Sequence, residues 1–438
     1  HVDFNFIVFT NTIDADTSNW TVGGNWTIST SDSIPGVFTA DTSTVTFNSG
    51  STGKTIYSGG SSFYNIIFNN ASGGWTLQEA MTVTNDFTVT NSDTTGSGVD
   101  LNGKAVNVTN DFSINGGEVT AGASTITIGG NWTNSGTFNA GTSSVTFNGT
   151  AQTINSATTF YDLTVSSSTQ LDINSVTVNA NDVTVSASKK LRLDNASDVL
   201  TASNEIYNYG TIEQSNGTVN VNNNVGGGYG IHNYSTGVYT ISGGTLDITR
   251  SFLQENGTLN ISGTAILNAP TWFYMQSGYS SSVINMTGGT VNCGDFPNYS
   301  GTVNHSGGSI ISSGYYRENS SSGGIYYGSG TALLKVSTYM RLMRAGNYFN
   351  DLEIIGVSSY VFTDSTQSLD INGDFTVNTS KVFDTNGYDI AIDGNVDIDG
   401  TVTANDTIFT AGGDWDHSGG TFTYDTSTVI LTGASVAL

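Results

Sequence analysis

The chain has 438 residues, 36 of them acidic and 11 basic, for a formal net charge of −25. Such a surface repels nucleic acid and anionic lipid, and no window of about 18 apolar residues is available to cross a bilayer, so neither is an expected partner. The single cysteine, Cys293, excludes an intramolecular disulfide and any cysteine-based metal motif, and reads as a small buried filler.

The rest of the composition points to strands. There are 54 Gly but 3 Pro, and Glu supplies only 7 of the 36 acids, the remainder being turn-favouring Asp. The 21 Phe, 20 Tyr and 6 Trp are too many for a disordered chain and recur at regular places. An all-β fold is expected.

The first ten residues, HVDFNFIVF and Thr10, place Val2, Phe4, Phe6 and Val8 on one face of a strand. This segment is expected either to cap its own first coil or to be offered to another subunit, because Phe4–Phe9 looks like the later element FYNIIF. Residues 11–189 carry regular repeats. GGNWTIS and GVFTADTSTVTFNSG run from Gly23 to Gly50, with an insertion near Pro35. FYNIIF (Phe63–Phe68), TNDFTV (Thr84–Val89), TNDFSI (Thr109–Ile114), GGNWTNSGTFNAGTSSVTFNG (Gly129–Gly149) and FYDLTV (Phe160–Val165) follow. The aromatic anchor moves from Phe87 to Phe112 to Trp132, steps of 25 and 20 residues.

Residues 190–346 are less regular. They keep GGTLDI, NGTLNI, GGTVNC and GGSIIS but gather aromatics, including Trp272, Tyr274, Tyr315, Tyr316, Tyr326 and Tyr327. Four basic residues, Arg317, Lys335, Arg341 and Arg344, lie in the same stretch, and Leu333–Arg344 carries a faint helical periodicity. Residues 347–438 return to regular repeats with FNDLEI, NGDFTV and GGDWDHSGGTFTYDTSTVILTG, the anchor passing through Phe375, Val396 and Trp415. The last repeat is incomplete: Ser427–Leu438 aligns with Ser143–Ile154, and Val436 and Leu438 stand where the apolar face continues.

Steps of about 20 to 25 residues with period-two alternation suit a coil of short strands joined by Gly and Asn-Gly corners. The expected fold is a single elongated right-handed β-solenoid of about 20 coils with no significant helix, each coil advancing about 4.8 Å.

The G-(N/D)-W, TVTFNG, QTI and FYDLTV series resembles repeats of secreted bacterial right-handed β-helix, pectin-lyase-like proteins of the cell surface. The likeness is clear over residues 20–185 and 347–438. It implies an extracellular or cell-surface location and a scaffolding or adhesive role, and no catalytic motif of the polysaccharide-cleaving members falls on this sequence.

Three candidate sites follow. Val2, Phe4, Phe6 and Val8 at one end and Val436 and Leu438 at the other form apolar, uncapped edges, which leads to an expected head-to-tail homopolymer, a structural subunit of an extracellular fibre or matrix. Trp272, Tyr274, Tyr315, Tyr316, Tyr326 and Tyr327 are candidate glycan or lateral contacts. Asp393, Asp397 and Asp399, in DGNVDIDG, are candidate oxygen ligands for Ca²⁺, although no cofactor is required. No enzymatic activity is expected; a lyase or hydrolase reading would rest on Arg317, Arg341 or Arg344 beside Asp295 or Glu318.

Overall fold

The computed structural model describes residues 5–29, 35–223, 228–319, 323–361 and 365–433. Val2, Phe4, Val436 and Leu438 lie outside the described residues. The described residues contain no helix and form a parallel β-solenoid of about 20 coils. It divides into two compact units, His1–Ser203 and Asn204–Leu438.

In the first unit each coil lays one short strand on each of three stacks. The first stack begins with Phe6–Val8, Trp26–Ile28, Lys54–Tyr57 and Trp75–Leu77. The second includes Met81–Val83, Val106–Val108, Thr125–Ile128 and Ser144–Phe147, and the third Thr44–Phe47, Asn65–Asn69, Phe87–Asn91, Phe112–Ile114 and Trp132–Asn134. All of these pairs are parallel, because every coil returns the chain above its own start. Alternation then sends Val145 and Phe147 inward, fully buried, and leaves Thr146 between them half-exposed. The Asn102-Gly103 corner takes φ of 52° and 67°, the left-handed turn its two residues tolerate best.

The repeated motif has a direct physical reading. Its W…TF…TVTF order places the tryptophan and the first phenylalanine on successive sides of one coil, where their rings meet edge to face. Trp26 meets Phe38 at 4.9 Å, Trp132 meets Phe138 at 4.9 Å and Trp415 meets Phe422 at 5.2 Å. The anchors also stack between coils: Phe87 lies 4.4 Å from Phe112, and Phe112 lies 4.9 Å from Trp132, both nearly coplanar.

The Asn or Asp before each anchor ties consecutive coils together. Its side-chain oxygen accepts the backbone N–H of the matching residue one coil on. Asn5 accepts from Asn25 (2.9 Å), Asp111 from Asn131 (2.7 Å) and Asn131 from Thr153 (2.9 Å). In the second unit Asp374 accepts from Asn395 (2.7 Å) and Asn395 from Asp414 (2.9 Å). A short polar side chain there pairs an N–H that would otherwise face a corner without a partner.

This ladder corrects the reading of the N-terminus. Phe6 pairs with Trp26 and Val8 with Ile28, so Asn5–Val8 matches Asn25–Ile28, the anchor strand, and not FYNIIF. Phe6 stacks on Trp26 at 4.1 Å and is 8% exposed. Among the described residues it is a rung of that stack, held by apolar burial.

The second unit repeats the three-sided plan with longer strands that bend round the corners, such as Val283–Pro297 and Ile325–Val336. Leu333–Arg344 holds the end of one strand, Leu333–Val336, and a second, Tyr339–Arg341, with no helix. Leu333–Val336 pairs with Asp351–Ile354 and Tyr339–Met340 with Tyr360–Val361, and these ladder bonds override a weak local periodicity. Inside one corner Asn208, Asn233, Gln254, Asn298 and Glu318 point inward and are at most 1% exposed. Asn208 donates to Asn233 (2.8 Å), Asn233 donates to Gln254 (2.6 Å), and Gln254 donates to the carbonyls of Gly257 and Val283. This chain of amides satisfies the backbone where strands stop and the coil turns. Cys293 is buried, and that burial pushes its thiol upward, as a packing residue requires.

Candidate functional site

One outer side of the second unit carries most of the surface aromatics, because successive coils bring outward positions into columns. Tyr207 pairs with His232, and His232 with Leu253, which pairs with Tyr274. The neighbouring column runs from Ser251 to Trp272 to Asp295. Further along, Arg317 pairs with Arg341 and Tyr339 with Tyr360.

Two ring arrangements share this side, and they differ in what they leave free. Tyr209 and Tyr234 lie parallel at 4.4 Å, as do Tyr315 and Tyr339 at 4.8 Å, with Tyr360 next at 5.8 Å. Parallel ladders of this kind cover their own ring faces and show mainly edges. By contrast, Trp272 makes tilted approaches to Tyr229 (6.4 Å) and Tyr274 (5.9 Å), and Tyr274 is perpendicular to Tyr299. Trp272 is 37% exposed, and its indole N–H donates to Asp295 at 3.3 Å, which fixes the ring. Burial raises the Asp295 carboxyl above the ordinary range, against the hydrogen bonds from Tyr315 and Trp272.

His232 closes one end of this group. Its Nδ1 lies 2.8 Å from Glu255 and its Nε2 lies 3.6 Å from Glu205. Glu205 also accepts the Tyr229 backbone N–H (3.0 Å) and the Asn223 amide (3.2 Å), and hydrogen-bonds the Tyr207 hydroxyl. The two glutamates come from the coils either side of the histidine, a relation hidden in sequence because the ladder partners of His232, Tyr207 and Leu253, lie 25 and 21 residues away.

Of the six aromatic candidates, Trp272, Tyr274 and Tyr315 lie on this side. Tyr316 and Tyr326 do not reach the surface: they are 0% and 1% exposed, core rings packed against Phe296 and Phe349. They sit at inward positions of their strands, one residue out of phase with Tyr315 and Tyr327. Tyr327 is half-buried on a different stack, beside Tyr348.

The acid–base pair considered for Glu318 is also corrected. Glu318 is fully buried and serves the backbone: one oxygen accepts from Met343 and Arg344 N–H groups (2.7 Å each), the other from Asn347 and Tyr316. Arg344 turns to the Gly323 carbonyl. Arg317 lies over the Tyr299 ring at 5.6 Å.

The three calcium candidates are not gathered into one site; among the described residues no three acidic, histidine or cysteine side chains are placed to hold a metal. Asp397 lies mid-strand, aligned with Asp416 on the next coil, while Asp393 and Asp399 flank opposite ends of that strand. Partial burial and the charges of Asp399 and Asp416 raise its carboxyl. Asp397→Asn is therefore expected to stabilise by about 0.5 kcal/mol at low salt, the range for like charges on facing strands. The gain should fade in 0.5 M salt. A loss of stability on substitution, measured in millimolar Ca²⁺, would instead mark Asp397 as a ligand.

A second feature escaped the sequence reading. On the adjoining side Asp247, Asn268 and Asn292 stand in line on three coils, at the matching positions of TLD, ILN and TVN. Asn268 donates to Asp247 (2.5 Å) and Asn292 to Asn268 (2.8 Å). They border an open groove of about 580 Å³ whose other walls include Ile248, Pro270 and Ile311. Aligning those strands by their inward leucines and valines would have exposed the row. No family model matches the chain, and neither does any curated protein or solved structure.

Proposed function

We propose that the chain is a structural component of an extracellular fibre or surface matrix, in which solenoids of this kind stack end to end. The observation that supports this is apolar exposure on the last described rung. Phe409 is 0% exposed, but Val429, its partner one coil on, is 39% exposed although it occupies the same inward column. Ile430 and Tyr424 beside it are 43% and 72% exposed. Near the first described rung Ile7, which points outward from its strand, and Phe9 are 45% and 62% exposed. An open edge strand with apolar residues invites another strand, and a parallel stack is polar, so its two edges differ and match head to tail. Coils stacked end to end in this way would pair their outermost strands across the junction, which is strand addition between subunits. The likeness to secreted bacterial β-helix repeats agrees with this reading and adds the extracellular location.

Acidic groups crowd both edges: Asp14, Asp16 and Asp41 at one, Asp406, Asp414, Asp416 and Asp425 at the other. A hydrogen bond and the charge of Asp14 raise the Asp41 carboxyl. Association is therefore expected to strengthen between 0.01 and 0.15 M salt, as the Debye length falls from about 30 to about 8 Å. Sedimentation velocity with electron microscopy tests it. Chains of particles at about 100 μM, lost in Val429→Asp, are the expected result. Monomers at every salt concentration would refute stacking.

A further inference from the structure

We propose that the groove bordered by Asp247, Asn268 and Asn292, together with Trp272 round the corner from it, is a binding site for a neutral polysaccharide. The corner is short: Pro270 lines the groove and Trp272 begins the aromatic side two residues later. The next coil repeats the arrangement, with Asn292 in the groove and Asp295 against Trp272.

Three properties of the site select this ligand. The amide row is pre-oriented, since each side chain is already held by its neighbour at 2.5 and 2.8 Å, and all three residues line the groove. Such groups pair with vicinal hydroxyls, and they recur once per coil, at about 4.8 Å, close to the advance of one hexose along an extended chain. Pro270, which is exposed, and half-buried Ile311 supply apolar contact for the C–H faces of the rings. Trp272 adds a fixed, partly exposed indole on which a pyranose stacks. At about 580 Å³ the groove falls within the range of ligand sites, about 300–1,000 Å³.

Charge decides between neutral and acidic sugars. Among the described residues no basic side chain lines the groove. Lys335, the ladder partner of Ile311, is paired with Glu353 at 2.6 Å, and Arg250 donates to the Gly228 carbonyl, while Asp247 borders the groove and Asp295 flanks Trp272. With a net charge of −25 on the whole chain, a polyanion is repelled at long range as well as in the site.

Isothermal titration of the full chain with cellohexaose, mannohexaose, xylohexaose and hexagalacturonate provides the test. At least one neutral hexasaccharide is expected to bind, with hexagalacturonate weaker. Trp272→Ala and Asn268→Ala should each weaken binding roughly tenfold. Tyr161→Ala, which removes an aromatic ring equally exposed at 37% but in the other unit, should leave it unchanged. Circular dichroism melts check that each variant is folded. The proposal is overturned if no neutral probe binds at 10 mM, if hexagalacturonate binds best, or if Trp272→Ala binds as the parent does. Sedimentation of the same samples keeps this outcome separate from end-to-end stacking, and self-association lost in Asn268→Ala would assign the groove to a second copy and overturn it too.

Discussion

Replacing Trp132 with alanine is expected to cost about 3–5 kcal/mol, the range for deleting a fully buried large aromatic ring. The position combines ring contacts with a buried side-chain hydrogen bond. The indole stacks on Phe112 at 4.9 Å, and it meets Phe138 and Phe160 edge to face at 4.9 and 5.1 Å. Its N–H donates to Thr158 at 2.8 Å. Alanine would leave a cavity bounded by three rings from separate segments of the coils, which a closely paired parallel ladder is poorly able to collapse. Because repeats contact only their neighbours, the damage should be local. Hydrogen exchange is expected to accelerate most in the Phe112–Ile114, Trp132–Asn134 and Ala151–Ile154 strands, the rungs directly above and below. Trp272→Ala, at a 37% exposed ring, should cost less than about 1 kcal/mol in the same urea titration. A loss at Trp132 no greater than that at Trp272 would show that the anchor column does not hold the coils together.

The second large effect concerns pH, and two buried groups of the second unit pull it in opposite directions. Burial raises the Glu318 carboxyl to about 7, from 4.5 for a free side chain, against the hydrogen bonds from Met343, Arg344, Tyr316 and Asn347. A raised folded pKa means that its contribution is complete below 4.5 and is lost as pH rises through 7, a change on the order of 3 kcal/mol. His305 behaves in the reverse sense. Buried between the Tyr326 hydroxyl and the Gly308 carbonyl, it is held down at about 4, from 6.5. Its contribution is complete above 6.5 and is lost as pH falls through 4, again on the order of 3 kcal/mol. Between about 4.5 and 6.5 the two slopes oppose each other, so these groups leave the parent nearly level there. Glu318→Gln should gain on the parent as pH rises from 4.5 to 7, and His305→Gln should gain as it falls from 6.5 to 4. Urea midpoints at pH 4, 5.5 and 7.5 measure both slopes. Curves for both variants that run parallel to the parent would mean that neither group titrates across the unfolding equilibrium.

These two buried groups were not legible in the chain. Glu318 stands in YYREN and His305 in VNHSG, neither distinguishable by composition from a surface turn. Their strand phase puts them inside, and strand phase in residues 283–341 is obscured by long strands that bend round corners with register shifts, as between Met286 and Thr287. The same loss of phase misplaced Tyr316 and Tyr326, which adjoin outward tyrosines in sequence.

Where the repeat is regular, sequence alone was sufficient for the solenoid and for its anchors. The steps from Phe87 to Phe112 to Trp132, and from Phe375 to Val396 to Trp415, are the pairings observed. Period-two alternation and one apolar column per coil leave a parallel ladder little choice of register, since a one-residue slip would turn every inward side chain to solvent. Tertiary structure decided the rest: that Asn5–Val8 is an anchor rung, that Glu205 and Glu255 bracket His232, and that Asp247, Asn268 and Asn292 form a row. Each of these depends on which residues lie one coil apart. That distance is set by corner length and varies from coil to coil, so no local pattern of side chains encodes it.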